Sequence, residues 1–600
     1  MIPQNPISNN SAFPVRNEIP ARNFTSTAAS LATKEAFHAA WDAWEKEAEP
    51  GAGEHRNVAV VRMKDCLERR ATELDLEGLS LRTLPAIMPR CVSLFVGHNQ
   101  LTGLPELHEG LERLSIQSNP LEHLPDRLPA SLRDLDANLC ALTQLPATLP
   151  DNLTLLVADG NQLTELPENL PNGLQWLVVA NNQLTELPKN LPNGLTNLLA
   201  TNNQLTELPE NLPNGLIGLF VGDNVLTELP ATLPPRLGCL DVKGNRLISL
   251  SEAIFRLPQE SQVHVEGNPL SEPVRSRLQD LASDPDYQGP RIYFSMSTGS
   301  NSAPTLPLSE IVASFVLPDQ KNEIVEKWDT IAKEDNAAAF GEFLNRLADT
   351  ESAKKEPAFK QQIATWLAHM TDRPSLREQI FLIAQGATAS CEDRVSLTYN
   401  EMQKAVVVHD VEGGKYDAQL PELVELGREM FRQEQLEQIA RNKVTTLKLV
   451  DEIEVYLAYQ VKLRESLRLT GVTKEMRFSD VSGVTQDDLD SATLLVKSRE
   501  NENFPSWLSQ WSPWKTVLHR IDTSRYEAAI KKREDALAGP YDAQIDAELK
   551  ELGLEHDEDA VRTIGKKVLD QIMSDIDMTL TKEVLSEKKS LALLDKRWSI

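Results

Sequence analysis

The segment NQLTELPENLPNGL at residues 161–174 returns letter for letter at 203–216, and a copy with one change, Lys189, lies between them at 182–195. Working outward, one column of the pattern holds Leu79, Asn99, Asn119, Cys140, Asn161, Asn182, Asn203, Asn224, Asn245 and Asn268, ten units about 21 residues apart. Each unit reads approximately L-x-x-L-x-V-x-x-N-x-L-T-x-L-P, a leucine-rich repeat. Two alternating apolar positions predict one short strand per unit, and strands of successive units pair in parallel. The asparagine amide can satisfy buried backbone groups where the chain turns; Cys140 does this weakly and Leu79 not at all. The Leu-Pro step returns the chain without a helix, so the predicted solenoid is thin and strongly curved. An open solenoid end needs a cover. The helical patterns Lys34–Glu47 and Asn57–Arg70 supply one.

The remainder divides by composition. Residues 1–33 hold a single acid, Glu18, and no periodicity, which predicts disorder. Residues 34–72 form the helical cap, 73–270 the solenoid, and 271–307 a C-terminal cap and linker ending in the Ser/Gly/Asn/Pro stretch Ser297–Pro307. Of 36 prolines, only Pro318, Pro357, Pro374, Pro421, Pro505, Pro513 and Pro540 lie beyond residue 310, so 308–600 can be helical throughout. Apolar spacings of three, four and seven place helices at Glu310–Phe315, Lys321–Glu334, Ala338–Leu347, Lys360–Met370, Leu420–Lys443 and Thr445–Leu469. The fold class expected is therefore multidomain: a helical cap, a leucine-rich-repeat solenoid of short parallel strands, and an all-α domain.

Composition excludes several functions. With 89 acids against 61 bases the chain carries a net charge of −28, unsuited to nucleic acid or an anionic membrane surface. No apolar run reaches membrane-spanning length. Five cysteines, Cys66, Cys91, Cys140, Cys239 and Cys391, show no C-x-x-C, which argues against a disulfide scaffold or a zinc module and for a reducing compartment. No G-x-x-x-x-G-K-S/T is present, and Gly413-Gly414 reads as a turn, so no nucleotide site is expected.

Two features can carry function. In each repeat the residue after the inward strand leucine faces the concave side. That row is Phe95, Ser115, Asp136, Val157, Val178, Leu199, Phe220 and Asp241, with Leu155 and Trp176 beside it. A contiguous apolar stripe rimmed by Asp136, Asp159, Asp223 and Asp241 suits a protein partner. Copying of apolar residues by repeat duplication would produce the same stripe without one. The second feature is Cys391, the one cysteine of the helical half. Ser390-Cys391-Glu392-Asp393 before an apolar run is an N-cap signature. It places the thiol in a first helical turn, where free N–H groups and the dipole favour a thiolate, with Arg394 assisting and Glu392 and Asp393 opposing. A small cysteine packed inside a helix, with Asp393 as a capping carboxylate, fits the same letters. His369, His409, His519 and His556 form no recognisable protease arrangement with it. The Trp507, Trp511 and Trp514 spacing suits a core more than a partner site.

The strings CEDRVSLTYN (391–400), LGREMFR (426–432), VDEIEVYLAYQ (450–460) and KEMRFSDVSGVT (474–485), together with AWDAWEKEA (40–48) and the LP-type repeats, closely resemble the IpaH/SspH family. These are bacterial leucine-rich-repeat effectors with a novel E3 ligase (NEL) domain, delivered by type III secretion. The resemblance implies an E3 ubiquitin ligase that needs no cofactor. Cys391 would be the nucleophile that takes ubiquitin from a host E2 enzyme as a thioester, and Asp393 the acid of the family's C-x-D motif, acting as base or orienting group. It further implies that a host substrate is recruited on the concave face (Phe95, Val157, Trp176, Val178, Leu199, Phe220), that 1–33 is a secretion signal, and that the protein acts in the host cytoplasm or nucleus. No cysteine precedes Cys66, so acylation near the start is not expected. A non-enzymatic scaffold, in which the repeats sequester a partner and the helical half is a docking platform, is the competing reading.

Overall fold

The computed structural model describes residues 34–48, 53–282, 284, 286–295, 306–316, 321–388, 395–471, 482–537, 540–552, 554 and 558–599. The stretch 1–33 read as a secretion signal and most of Ser297–Pro307 lie outside them. The chain divides into two compact units, Met1–Val225 with Pro230–Leu237 and Leu226–Leu229 with Gly238–Ile600.

In the first unit, helices α1 (Lys34–Lys46) and α2 (Arg56–Arg69) precede eight strands: β1 (Glu73–Asp75), β2 (Ser93–Phe95), β3 (Arg113–Ser115), β4 (Asp134–Asp136), β5 (Leu155–Val157), β6 (Trp176–Val178), β7 (Asn197–Leu199) and β8 (Gly218–Phe220). Each pairs with the next in parallel, in unbroken register. The central residues Leu74, Leu94, Leu114, Leu135, Leu156, Leu177, Leu198 and Leu219 are all buried, which fixes the inward face. The two helices cover the first repeats through buried tryptophans. Trp41 Nε1 donates to Ile87 O at 2.7 Å, Trp44 Nε1 donates to Thr83 Oγ1 at 3.2 Å, and Arg56 Nη1 donates to Trp44 O at 2.6 Å.

The asparagine column works as its chemistry requires. Asn203 Oδ1 accepts from Leu184 N of the preceding unit at 2.9 Å, while its Nδ2 donates to Val179 O at 3.0 Å and Ala200 O at 3.1 Å. Asn99, Asn119, Asn161, Asn182 and Asn224 repeat the arrangement. Cys140 keeps only the donor half: Sγ lies 3.2 Å from Ile116 O, and Leu121 N turns to Asn119 O at 2.8 Å. The residue before each column position takes a left-handed conformation, at Gly78, His98, Ser118, Leu139, Gly160, Asn181, Asn202 and Asp223 in this unit. Asparagine, aspartate and glycine suit that region; Leu139 does not.

The second unit opens with β9 (Cys239–Asp241), β10 (Gln262–His264), helix α3 (Glu272–Ala282) and β11 (Arg291–Tyr293), paired in parallel. Then follow α4 (Leu308–Phe315), α5 (Lys321–Ile331), α6 (Ala337–Ala348), α7 (Glu351–Lys355), α8 (Pro357–Thr371), α9 (Pro374–Thr388), α10 (Val395–Glu412), α11 (Leu420–Thr446), β12 (Leu449–Val450), α12 (Glu452–Lys462), α13 (Gln486–Gln510), α14 (Ser512–Ile521), α15 (Thr523–Leu537), α16 (Pro540–Leu552) and α17 (Glu558–Glu587). Prolines 357, 374, 421, 513 and 540 sit in first turns, where the missing N–H costs nothing; among the described residues Pro505 alone lies in a helix interior.

One expectation is corrected. The helix read over Thr445–Leu469 is interrupted: Leu449 and Val450 form β12, and α12 begins only at Glu452, capped by Asp451, whose Oδ1 accepts from Glu454 N at 3.2 Å. The reason is tertiary. β12 pairs in parallel with β11, extending the sheet of the last repeats into the helical half. Arg291 adds donors to Thr445 O and Val444 O at the end of α11, and Lys448 Nζ donates to Gln259 O at 3.2 Å.

Candidate active site

Cys391 and Asp393, with Ser390 and Arg394, lie outside the described residues. The described frame that carries them is α9, ending at Thr388, and α10, beginning at Val395. Along α10 two cores meet. Tyr399 and Met402 pack with α4–α6, α8 and α9, whereas Val411 packs with α11, α13, α14 and α17. Tyr399 is fully buried, edge-on to Trp366 at 5.4 Å and Phe359 at 5.7 Å. Its hydroxyl bonds nothing among the described residues, and burial pushes the phenol up. Ser396, Thr398 and Asn400 are buried too. This explains why α10 shows no clean apolar stripe: it is covered on several sides.

Polar contacts fix the pose of α10. At its C-terminal end the buried Asp410 carboxylate takes Arg373 Nη1 and, at 2.7 Å, Lys415 Nζ, with His369 Nε2 at 3.1 Å. Burial would raise the Asp410 carboxyl, but Lys415 and Arg373 hold it below its ordinary value. In the middle, Lys404 Nζ bonds Glu437, and Asn400 Nδ2 donates to Gln460 Oε1 at 3.1 Å.

The string LGREMFR has equally definite work. Gly427 lets α13 approach α11, since a Cβ there would sit 3.2 Å from Leu508 Cδ1. Arg428 Nη1 donates to Glu500 Oε1 at 2.8 Å, and Arg432 Nε donates to Glu500 Oε2 at 2.6 Å. Trp598 Nε1 also donates to Oε2, at 2.7 Å. All three charged groups are buried. Desolvation opposes the Glu500 charge, but the bonds from Arg432, Trp598 and Arg428 carry its pKa below the ordinary value. Glu429 accepts from Thr470 Oγ1 and Gly471 N, both at 2.5 Å. The tryptophan cluster is core: Trp514 is fully buried with Nε1 donating to Thr581 Oγ1 at 3.0 Å, and Trp507 and Trp511 stack at 5.6 Å beside it.

The row assigned to the concave side is in register, Phe95 to Ser115, Asp136, Val157, Val178, Leu199 and Phe220. Phe95, Leu199, Phe220 and Trp176 are half-buried, while Val157 and Val178, the smaller groups between flanking strands, are buried. Gly218 leaves room for the neighbouring side chains, since a Cβ there would meet the Phe220 ring at 2.8 Å and Asn197 Oδ1 at 2.6 Å and turn one of them aside. Arg113 and Asp134 pair at 2.9 Å in the neighbouring row, so its early part is polar and its middle apolar.

The other four cysteines are poor nucleophiles. Burial, with Asp65 adding, pushes Cys66 up to about 11, and burial pushes Cys140 to about 11. Burial likewise takes Cys91 to about 12, and burial with Asp241 and Glu266 takes Cys239 to about 12. Among the described residues no three His, Cys, Asp or Glu gather as a metal site, and no helix is long and apolar enough to cross a membrane.

Two family models match the chain: the C-terminal novel E3 ligase, LRR-interacting domain over residues 313–525, and the type III secretion system leucine-rich-repeat protein over residues 4–61. The fold and these matches define a leucine-rich-repeat protein with a NEL domain. The chain is 44% identical over 581 residues, 96% of its length and 98% of the relative's, to the E3 ubiquitin-protein ligase ipaH9.8 of Shigella dysenteriae serotype 1 (strain Sd197). A probable E3 ubiquitin-protein ligase, ipaH4.5 of Shigella flexneri, is 44% identical over 57% of this chain and 59% of its own. Among solved structures, YopM, a leucine-rich effector from Yersinia pestis, is 34% identical over 44% of this chain and 77% of that one, with a TM-score of 0.37. The chain belongs to the IpaH family of type III secretion leucine-rich-repeat effectors.

Proposed function

We propose that this protein is an E3 ubiquitin ligase working through a covalent thioester on Cys391. The observation that carries the reading is the 44% identity across 96% of the chain to a relative named as an E3 ubiquitin-protein ligase. The Cys391 thiolate attacks the carbonyl carbon of the thioester joining ubiquitin to a host E2, and the E2 thiolate leaves. A substrate lysine amine then attacks the new thioester, Cys391 leaves as thiolate, and an isopeptide bond remains. One thioester replaces another of similar energy, so the first transfer needs no nucleotide. Asp393 accepts the proton of the incoming amine or orients the loop. Residues 308–600 form the ligase domain and 73–270 the solenoid, with the cap at 34–72 and the linker at 271–307. The solenoid recruits a host protein on Phe95, Val157, Trp176, Val178, Leu199 and Phe220, and residues 1–33 direct secretion into the host cytoplasm or nucleus.

The test combines activating enzyme, charged E2 and ubiquitin with the full chain. A thiol-reducible ubiquitin adduct followed by chains is expected, and Cys391→Ala should abolish both; chains made by Cys391→Ala protein exclude the mechanism. Asp393→Asn separates its roles, since an adduct that forms but does not discharge to lysine marks a base.

A further inference from the structure

Three cations converge on one ring. Arg432 Cζ lies 5.1 Å, Arg468 Cζ 4.8 Å and Lys497 Nζ 4.8 Å from the centroid of the Trp598 indole. No two of these charges are more than about 10 Å apart, one Debye length at 0.1 M salt, so they repel one another. The ring attracts each through its quadrupole but has no charge of its own to cancel theirs. The acid bonded to this group, Glu500, is already shared. Its Oε1 accepts from Arg428 Nη1 at 2.8 Å and Arg432 Nη2 at 3.0 Å, and its Oε2 from Arg432 Nε at 2.6 Å and Trp598 Nε1 at 2.7 Å. Among the described residues neither Arg468 nor Lys497 forms an ion pair, so the cluster keeps an excess of positive charge in a chain whose net charge is −28.

Two further features hold the charges in place. Trp598 is clamped through its backbone: its N–H donates to Asn501 Oδ1 at 2.8 Å and its carbonyl accepts from Asn501 Nδ2 at 3.1 Å. Arg468 lies in the turn after α12 with φ 53°, a left-handed conformation that glycine would take without strain. The chain instead carries a charge there, exposed, beside the half-buried Lys497 and Trp598. Stability alone favours a glycine at 468 and an acid between the bases, and neither is present. We infer that Arg468 and Lys497, held on Trp598, form an oxyanion-binding site on the helical half that takes a phosphate or carboxylate group of a partner protein. A guanidinium fork suits two oxygens of such a group and the ammonium suits a third. The acidity of the whole chain repels extended polyanions such as nucleic acid, which restricts the ligand to a localised anion. The site does not depend on the chemistry proposed for Cys391.

The experiment titrates the full chain by isothermal calorimetry at constant ionic strength. The probes are inorganic phosphate, a pentapeptide with phosphoserine at its centre, the same peptide with serine, and pentaglutamate. Phosphate should bind with a Kd on the order of 1 mM and at least one of the two anionic peptides more tightly, while the serine peptide does not bind. Preference for phosphoserine identifies a phosphate as the natural group, and preference for pentaglutamate identifies carboxylates. Lys497→Met and Arg468→Gly should each weaken binding by about tenfold or more, and Lys497→Arg should stay within about threefold of wild type. Arg468→Gly separates binding from folding, because glycine suits the left-handed turn and the variant should melt within a few degrees of wild type. Absence of binding by all the anionic probes would overturn the inference. So would affinities unchanged in Lys497→Met and Arg468→Gly, since the anion would then sit elsewhere.

Discussion

The thiol chemistry can be checked before any ubiquitin is added. At pH 8 a thiol of ordinary pKa, about 8.5, is about one-quarter thiolate. Cys66 and Cys140, raised to about 11, are thiolate about one part in a thousand. Cys91 and Cys239, at about 12, are so about one part in ten thousand. A more basic thiolate is intrinsically more reactive, by roughly thirteenfold and fortyfold across these differences for a Brønsted slope near 0.45. That leaves an ordinary thiol about twentyfold ahead of Cys66 and Cys140 and about sixtyfold ahead of Cys91 and Cys239. Burial of the first three adds steric cover. The full chain treated with iodoacetamide at pH 8 should therefore take up one equivalent at Cys391, read by intact mass and peptide mapping, while protein unfolded in urea takes up five. Cys391→Ala should remove the fast phase. Fast labelling of Cys66 or Cys239 in the native wild type, or an undiminished fast phase in Cys391→Ala, would refute the argument that burial reserves reactivity for one sulfur.

Other perturbations test the frame. Asn203→Ala strips Leu184 N of its acceptor and removes one of the two amide donors held by Val179 O and by Ala200 O, and should cost about 1–3 kcal/mol in urea unfolding; a loss below about 0.5 kcal/mol would show that the column is not structural. Cys140→Asn gives Leu121 N, now bonded to Asn119 O, the side-chain acceptor that the other units provide and should stabilise by about 1 kcal/mol, with destabilisation the contrary result. Arg432→Met leaves Glu500 half-compensated in a buried site and should cost about 3–5 kcal/mol; an unchanged unfolding midpoint would dismiss the cluster as a tie. His264 is buried, which lowers its pKa, but Glu266 at 3.1 Å and Asp241 outweigh this and raise it. Its charge therefore contributes stability fully below the unfolded value of about 6.5, and that contribution is lost as pH rises through the raised folded value. A fall in urea midpoint from pH 6 to pH 8 that is smaller in His264→Gln is expected, and identical slopes would refute it.

What the sequence made legible was whatever repeats along the chain. A period of 21 residues fixed strand, asparagine and Leu-Pro positions, because each unit meets only its neighbours and one-dimensional spacing is then three-dimensional spacing. Even the exception, Cys140, was readable as an amide with half its chemistry removed. The helical half obeys no such rule. Its helices were legible from apolar spacing, but β12 was not: Leu449 and Val450 continue the helical letters, and only pairing with β11, more than 150 residues earlier, makes them a strand. The same limit hid Arg428 and Arg432 on Glu500, and Asn400 on Gln460.

Those contacts give a physical reason for the strings that marked the family. Three of them hold polar residues at positions a helix bundle would otherwise fill with leucine: Asn400 in CEDRVSLTYN, Arg428, Glu429 and Arg432 in LGREMFR, and Gln460 in VDEIEVYLAYQ. Asn400 and Gln460, in two different strings, are partners. Arg428 and Arg432 reach Glu500 and the chain's last tryptophan, and Glu429 holds residues 470 and 471. Apolar packing tolerates substitution because many side chains fill a similar volume. A buried amide or charge does not, since losing its partner exposes the full desolvation cost. Paired polar positions are therefore the letters a helical domain can least afford to change. Within a likeness that spans 96% of the chain at 44% identity, those three strings are therefore places where polar contacts tie segments distant in sequence.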